Sequence, residues 1–336
     1  MKFKTYFIPK SFVYTGKFGS EKTTIKHYQF DKKDVTISDT FDSDPALKHY
    51  IQVVGLSDVE AITNLTKHFT VDPLILEDIF NVKQRDKIEL QDKHLFGVFH
   101  IHYIKEAGTA KDYMSMLLFE NALITFHEKE PVFLESLTHL ITQHKETKEK
   151  TIDFLFYEII DMITDHHIEV YDALEEKMSL YEEEILESKQ TNQEAFYQTR
   201  KTLLKLKNSV TPILEQLTTT LNKKPPLIHA SLMPYFDDLK DHLNRLDLQL
   251  TQARELMRHL LDLQMNNQSN KMNQIMTTLT LFSAIFIPLS FLTGFFGMNF
   301  IHFGILAYEN AIMLFVAFCL LIGVGMFALF KKMKWL

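Results

Sequence analysis

The chain has 336 residues, with 36 Lys and Arg against 43 Asp and Glu, a formal net charge of −7 and a mean hydropathy of −0.08. That balance implies no basic surface and argues against a nucleic-acid binder. The average conceals an uneven spread, because between Ile275 and Phe330 the one residue charged at neutral pH is Glu309; this excludes a wholly soluble protein, a carrier of many spans and a disordered chain. The single cysteine, Cys319, leaves no disulfide framework or cysteine metal site within one chain.

Residues 1 to about 150 read as mixed α/β. Runs rich in β-branched and aromatic residues predict strands at 24–30, 35–38, 49–54, 96–104, 114–120 and 122–126. Glu120-Asn121 is placed to make a hairpin turn. Between these runs, Ser57 or Asp58 can cap a helix over 59–69, and Asp72-Pro73 opens another over 74–80, with Pro at its first position. Pro131 similarly opens 132–144. The first nine residues lack the long apolar core of a signal peptide, so membrane insertion is expected to rely on C-terminal segments.

After Lys150 the pattern becomes helical, with Phe154, Ile159, Ile163, Val170, Leu174, Met178, Leu180 and Ile185 recurring on one face and no glycine between Gly108 and Gly294. Pro212 is expected to interrupt one helix, and Pro225-Pro226 to separate it from the next. Leu239, Leu243, Leu246, Leu250, Ala253, Met257, Leu260 and Leu263 then follow at the 3- or 4-residue spacing of a helix–helix seam. No breaker lies between this seam and the apolar tail. One helix over 237–296 is therefore expected, roughly 90 Å long at about 1.5 Å per residue, suited to an oligomeric stalk.

Two stretches, 275–296 and 311–330, each hold about 20 residues without a charge, enough to cross a hydrocarbon core of roughly 30 Å. The link 297–310 has no Lys or Arg, whereas Lys331, Lys332 and Lys334 follow the second span directly. The positive-inside rule then puts both termini in the cytoplasm. Tyr308 and Trp335 flank the second span as interfacial aromatics do. Two helices per chain cannot enclose a wet path, so a conducting form needs several chains around an axis. The first span has a polar, small or flexible stripe at spacing 3 and 4: Asn273, Met276, Thr280, Ser283, Ile287, Ser290 and Gly294. The bland reading is that its Ser and Thr bond back to their own helix or join helices together. The second span is almost uniformly apolar and looks lipid-facing.

At the end of the first span stands Phe296-Gly297-Met298-Asn299-Phe300, preceded by Ile287-Pro288-Leu289-Ser290-Phe291-Leu292-Thr293-Gly294. This resembles the CorA family of divalent-metal transporters, whose signature is Gly-Met-Asn in the short loop between two C-terminal spans. A second match lies at Val71-Asp72-Pro73-Leu74-Ile75-Leu76-Glu77-Asp78-Ile79 and Asn81-Val82-Lys83-Gln84-Arg85. The resemblance implies a funnel-shaped homopentamer in the cell (inner or plasma) membrane. Its parts would be an α+β cytoplasmic domain over 1–150, long cytoplasmic helices including the stalk over 151–272, and a transmembrane hairpin with a basic tail over 273–336. Membrane lipids, divalent cations and copies of the chain itself are the expected partners, with no nucleic acid.

Gly297, Met298 and Asn299 would form the selectivity filter, where a ring of neutral amide oxygens can hold the water shell of Mg²⁺, an ion that gives up its waters reluctantly. Asn273, Met276, Leu279, Ile287 and Ser290 match pore-lining positions, and Ser283 joins them on the stripe. Leu279 and Thr280 cannot both face the axis; the family favours the first and the spacing favours the second. Asp78 and Asp262 match acids between which cytoplasmic Mg²⁺ bridges neighbouring subunits to close the pore, and Asp238 matches a second acid whose partner stays unassigned. Mg²⁺ is thus expected both as cargo and as regulator, with Co²⁺ and Ni²⁺ also admitted. The alternatives are a Zn²⁺ transporter on the same scaffold, or a membrane-anchored metal sensor that conducts nothing. After Phe300 the family's acidic loop is replaced by 301–310, which keeps just Glu309 as an acid.

Other features read as structural. Glu175-Glu176 and Glu182-Glu183-Glu184 suit a solvated helix face. His166-His167 suits a surface helix, and His100 and His102 share one face of a strand. There is no P-loop and no catalytic motif, so neither ATP drive nor an enzyme activity is expected.

Overall fold

The computed structural model describes residues 12–41, 44–106, 108–187, 189, 191–298, 304, 309–333 and 335. The elements in order are β1 (Thr24–Phe30), β2 (Val35–Ser38), β3 (Lys48–Val54), α1 (Val59–Lys67), α2 (Pro73–Phe80), β4 (Lys87–Leu90), β5 (Leu95–Lys105), β6 (Gly108–Leu118), β7 (Ala122–His127), α3 (Leu134–Gln143), α4 (Lys145–Glu149), α5 (Ile152–Leu186), α6 (Gln193–Asn222), α7 (Met233–Phe296) and α8 (Ala311–Lys332).

The strands make one mixed sheet in the order β2-β1-β3-β7-β6-β5-β4. Neighbours are antiparallel except β3 and β7, which run parallel with Ile51 opposite Ile124. Consecutive residues are buried along β5, β6 and β7, so the centre of the sheet is covered on both faces. One core joins Ile62 and Leu65 of α1 and Ile75, Leu76, Ile79 and Phe80 of α2 to Ile51, Val98, Leu117, Ile124 and Phe126. Both helices start as their sequences dictate. The Asp58 carboxylate accepts from Ala61 N (2.9 Å), and the Asp72 carboxylate accepts from Leu74 N (2.8 Å) ahead of Pro73.

The N-terminal part departs from the sequence expectation at strand β4, at the short helix α4 and at the start of β6. In β6, Lys111 and Asp112 break the apolar alternation, yet Asp112 is buried because Lys129 pairs with it at 2.8 Å and Tyr103 donates to it at 3.3 Å. The β6–β7 turn forms where Glu120-Asn121 predicts it, closed by Phe119 N donating to Ala122 O at 2.7 Å.

Pro212 does not interrupt α6, which runs through it. Proline removes one backbone hydrogen bond, but the buried stripe Leu203, Leu206, Val210, Ile213, Leu217 and Leu221 holds the helix. The α7 seam is buried from Leu239 through Leu260, whereas Leu263 is 41% exposed and ends it. Lys207 of α6 ties to α7 through Asp247 (3.2 Å) and Thr251 (2.6 Å).

The surface-helix reading of His166-His167 also fails for His167, which is fully buried and donates through Nε2 to His100 O at 3.1 Å. His100 and His102 are buried as well. Asp86 holds His100 Nδ1 at 2.9 Å, and His102 Nε2 meets the Ser209 hydroxyl at 3.1 Å.

The chain forms two compact units. The first is Met1–Glu184 with Gln190–Arg258, and the second is Ile185–Lys189 with His259–Leu336. The second unit is built from the C-terminal part of α7 and from α8. These carry the two segments long and apolar enough to cross a membrane.

Candidate functional site

The C-terminal part of α7 has two different faces. On a helix of 3.6 residues per turn, Asn273, Met276, Leu279, Thr280, Ser283, Ile287, Ser290 and Gly294 fall within an arc of roughly 120°. Most of this arc is open: Met276 is 59% exposed, and Leu279 and Ile287 are each 67% exposed. Asn273, Thr280, Ser290 and Gly294 are exposed too, and Ser283 is half-buried. Leu279 and Thr280 stand at opposite edges of the arc. The Thr280 hydroxyl donates to Met276 O at 2.8 Å, which engages it with its own helix, as the bland reading expects. Thr293 does the same to Ser290 O at 3.1 Å.

The opposite side of the helix is covered. Leu281 is buried, and Ile285, Pro288, Leu289, Leu292 and Phe296 are half-buried. Here α8 packs, with the Phe296 and Phe315 rings 5.0 Å apart and Leu289 and Thr293 lining one groove with Phe315, Cys319 and Gly323. The half-buried or buried side of α8 repeats at helical spacing as Ala311, Phe315, Cys319, Ile322, Met326 and Phe330. Thus the second helix occupies the apolar back of the first and leaves the stripe uncovered, together with Phe282, Phe286 and Phe291.

At the tip, Gly297 N donates to Thr293 O at 2.9 Å and Met298 N to Phe295 O at 3.3 Å, which completes the last helical turn. The glycines at positive φ are Gly55 and Gly108, so Gly297 is not used here for a left-handed backbone. A Cβ at Gly297 would stand 3.0 Å from Thr293 O, a tight contact that a side chain could enter only with a small shift of the backbone. Met298 is 57% exposed. Asn299, Phe300, the loop positions 301–303 and 305–308, and Lys334 lie outside the described residues.

Of the three candidate regulatory acids, Asp78 is the most engaged. It sits in the last turn of α2, where the Tyr113 hydroxyl donates to its carbonyl at 3.0 Å. Gln84 Nε2 donates to its Oδ1 at 2.5 Å and Lys87 Nζ to its Oδ2 at 2.6 Å. Lys87 also donates to Glu89 Oε1 at 3.0 Å. Burial pulls the Lys87 ammonium down, but its hydrogen bonds to Asp78 and Glu89 outweigh this and leave its pKa raised. Asp262, by contrast, is exposed.

Asp238 lies near an acidic row on α5 that sequence reasoning missed. Asp161 has its carboxyl raised by burial and by Asp165, against His242, with Asp238 adding to the rise. Glu158, one turn earlier, is pushed up to about 7, chiefly by burial. The signal was present as acids at spacing 3 and 4 in 158–165, hidden among the apolar residues of α5. Asp161 of α5 is thus within electrostatic reach of Asp238 of α7. Among the described residues, no group of three or more His, Cys, Asp and Glu could hold a metal ion.

A mixed sheet with helices on it, long helices, and two C-terminal apolar helices define the class: a membrane protein with a large extramembrane domain. The model of the CorA-like Mg²⁺ transporter protein family matches residues 51–332, and the chain belongs to that family. It is 30% identical to the cobalt/magnesium transport protein CorA of Thermotoga maritima, over 98% of this chain and 96% of that one. It is 28% identical to the putative metal ion transporter YfjQ of Bacillus subtilis, over 75% of this chain and 78% of that one. In fold it is similar to the complete CorA magnesium transporter of Methanocaldococcus jannaschii, with a TM-score of 0.79 at 20% identity, covering 94% of this chain and all of that one. The family is one of membrane ion transporters.

Proposed function

We propose that the chain assembles as a funnel-shaped homopentamer that conducts Mg²⁺, together with Co²⁺ and Ni²⁺, into the cell. In this reading 1–150 and 151–272 form the cytoplasmic funnel and stalk, 273–336 forms the membrane hairpin, and both termini are cytoplasmic. Asn273, Met276, Leu279, Ser283, Ile287 and Ser290 line the path, and Gly297, Met298 and Asn299 cap it. The inside-negative potential drives entry, at about 2.3 kcal/mol per charge per 100 mV, or roughly 4.6 for a divalent ion. Cytoplasmic Mg²⁺ closes the pore by bridging Asp78 and Asp262 of neighbouring subunits, with Asp238 and Asp161 as a second acidic pair.

The observation that carries the reading is the division of α7 into two faces. Its apolar back is taken by α8, and the side left uncovered includes the stripe on which Asn273, Thr280, Ser283, Ser290 and Gly294 alternate with Met276, Leu279 and Ile287. The test is uptake by purified protein in liposomes under an imposed potential, with Mg²⁺, Co²⁺ and Zn²⁺ compared. Mg²⁺ uptake that is lost in Asn299→Ala is expected. Uptake of Zn²⁺ without Mg²⁺ would reassign the cargo. Absence of flux for every ion would leave a sensor.

A further inference from the structure

The Asp78 carboxylate is not an open ligand in the folded subunit. One oxygen takes the Gln84 amide and the other takes the Lys87 ammonium, at 2.5 Å and 2.6 Å. Lys87 is held there from three sides. Glu89 accepts from it at 3.0 Å, the Phe96 ring lies 5.3 Å below it, and its side chain is 13% exposed. A two-residue step along β4 puts Lys87 and Glu89 on the same face of the strand, so the ammonium sits between two carboxylates as a bridging cation does.

We propose that Lys87 is a built-in counter-ion that competes with Mg²⁺ for Asp78 and so sets the cytoplasmic Mg²⁺ level at which the pore closes. This rests on the reading of Asp78 and Asp262 as the regulatory acids. A divalent ion approaching Asp78 meets a fixed positive charge already on the carboxylate. It must push the ammonium toward Glu89 before it can bind directly. While Lys87 remains, it repels the ion and halves the local negative charge, because two carboxylates and one ammonium leave a single net charge. Binding is then weak by construction, which suits an ion that must leave again when its level falls. Subunits without bound metal keep Asp78 neutralised, so the open state carries less repulsion than a bare pair of facing acids would.

The experiment is Mg²⁺ titration of the full-length protein in detergent by calorimetry, paired with the internal Mg²⁺ needed for half-inhibition of liposome uptake. Lys87→Met is expected to tighten binding about tenfold and to lower the half-inhibiting level by a similar factor. Lys87→Gln, neutral but still able to hydrogen-bond, is expected to act in the same direction. Lys87→Arg, which keeps the charge, should stay within about threefold of the parent. Asp262→Ala serves as the control for the site itself. If it weakens binding while Lys87→Met and Lys87→Gln bind as the parent does, the counter-ion role is wrong and the regulatory site stands. If Asp262→Ala leaves binding and shut-off unchanged, the site is misassigned and the role of Lys87 falls with it.

Discussion

His102, His127 and His167 are buried with their imidazoles held neutral. Burial pushes His102 down to about 2, with His167 beside it adding to the effect. Burial alone pushes His127 down to about 3, and His167 falls to about 4. An unfolded histidine titrates near 6.5, so in acid the unfolded chain binds more protons than the folded one. The stability these residues contribute is fully present above about pH 6.5 and is lost as pH falls toward their folded values. Each costs about 2 kcal/mol between about pH 6.5 and about pH 5. Thermal melts of the full-length protein in detergent should show the midpoint several degrees lower at about pH 5 than at about pH 7.5. His167→Gln should flatten part of that slope; an equal slope in the variant would contradict the assignment. The residue types were legible in the sequence, but their burial was not. His166 and His167 are adjacent, and helix rotation puts one at the surface and the other into the contact with His100 O.

At the scale of the element, α7 carries the functional claim. Its seam was legible because leucines at spacing 3 and 4 continue from Leu239 to Leu260 without a breaker. Pro212 looks decisive in isolation, and only the buried stripe around it shows why α6 persists through it. Which side of the first span α8 would cover was not legible, since the second span is apolar all round. The single cysteine makes this side directly testable. In a Cys319→Ala background, Ser283→Cys and Ile287→Cys should lose most Mg²⁺ uptake after treatment with a charged thiol reagent. Phe282→Cys, which lies off the stripe, should keep it. The edge positions separate Leu279 from Thr280 in the same way. Block at Phe282 without block at Ser283 would turn the helix around and remove the pore stripe.

For the whole molecule, the family match over residues 51–332 takes in both motif regions, 71–85 and 287–300. What the sequence could not supply was the state of the acids. That Asp78 carries Lys87, and that Asp161 stands near Asp238, depends on chain segments brought together only by folding. The central claim is that copies of this chain gather the stripe of α7 around one wet axis. A cryo-electron microscopy map of the full-length protein in lipid nanodiscs tests it most directly. The account predicts five copies about an axis, with Ser283, Ile287 and Ser290 toward it, Asn299 at its outer end and α8 on the outside. A map with the α7 segments separated by lipid, or with the Leu281 and Leu292 side turned to the axis, would contradict it.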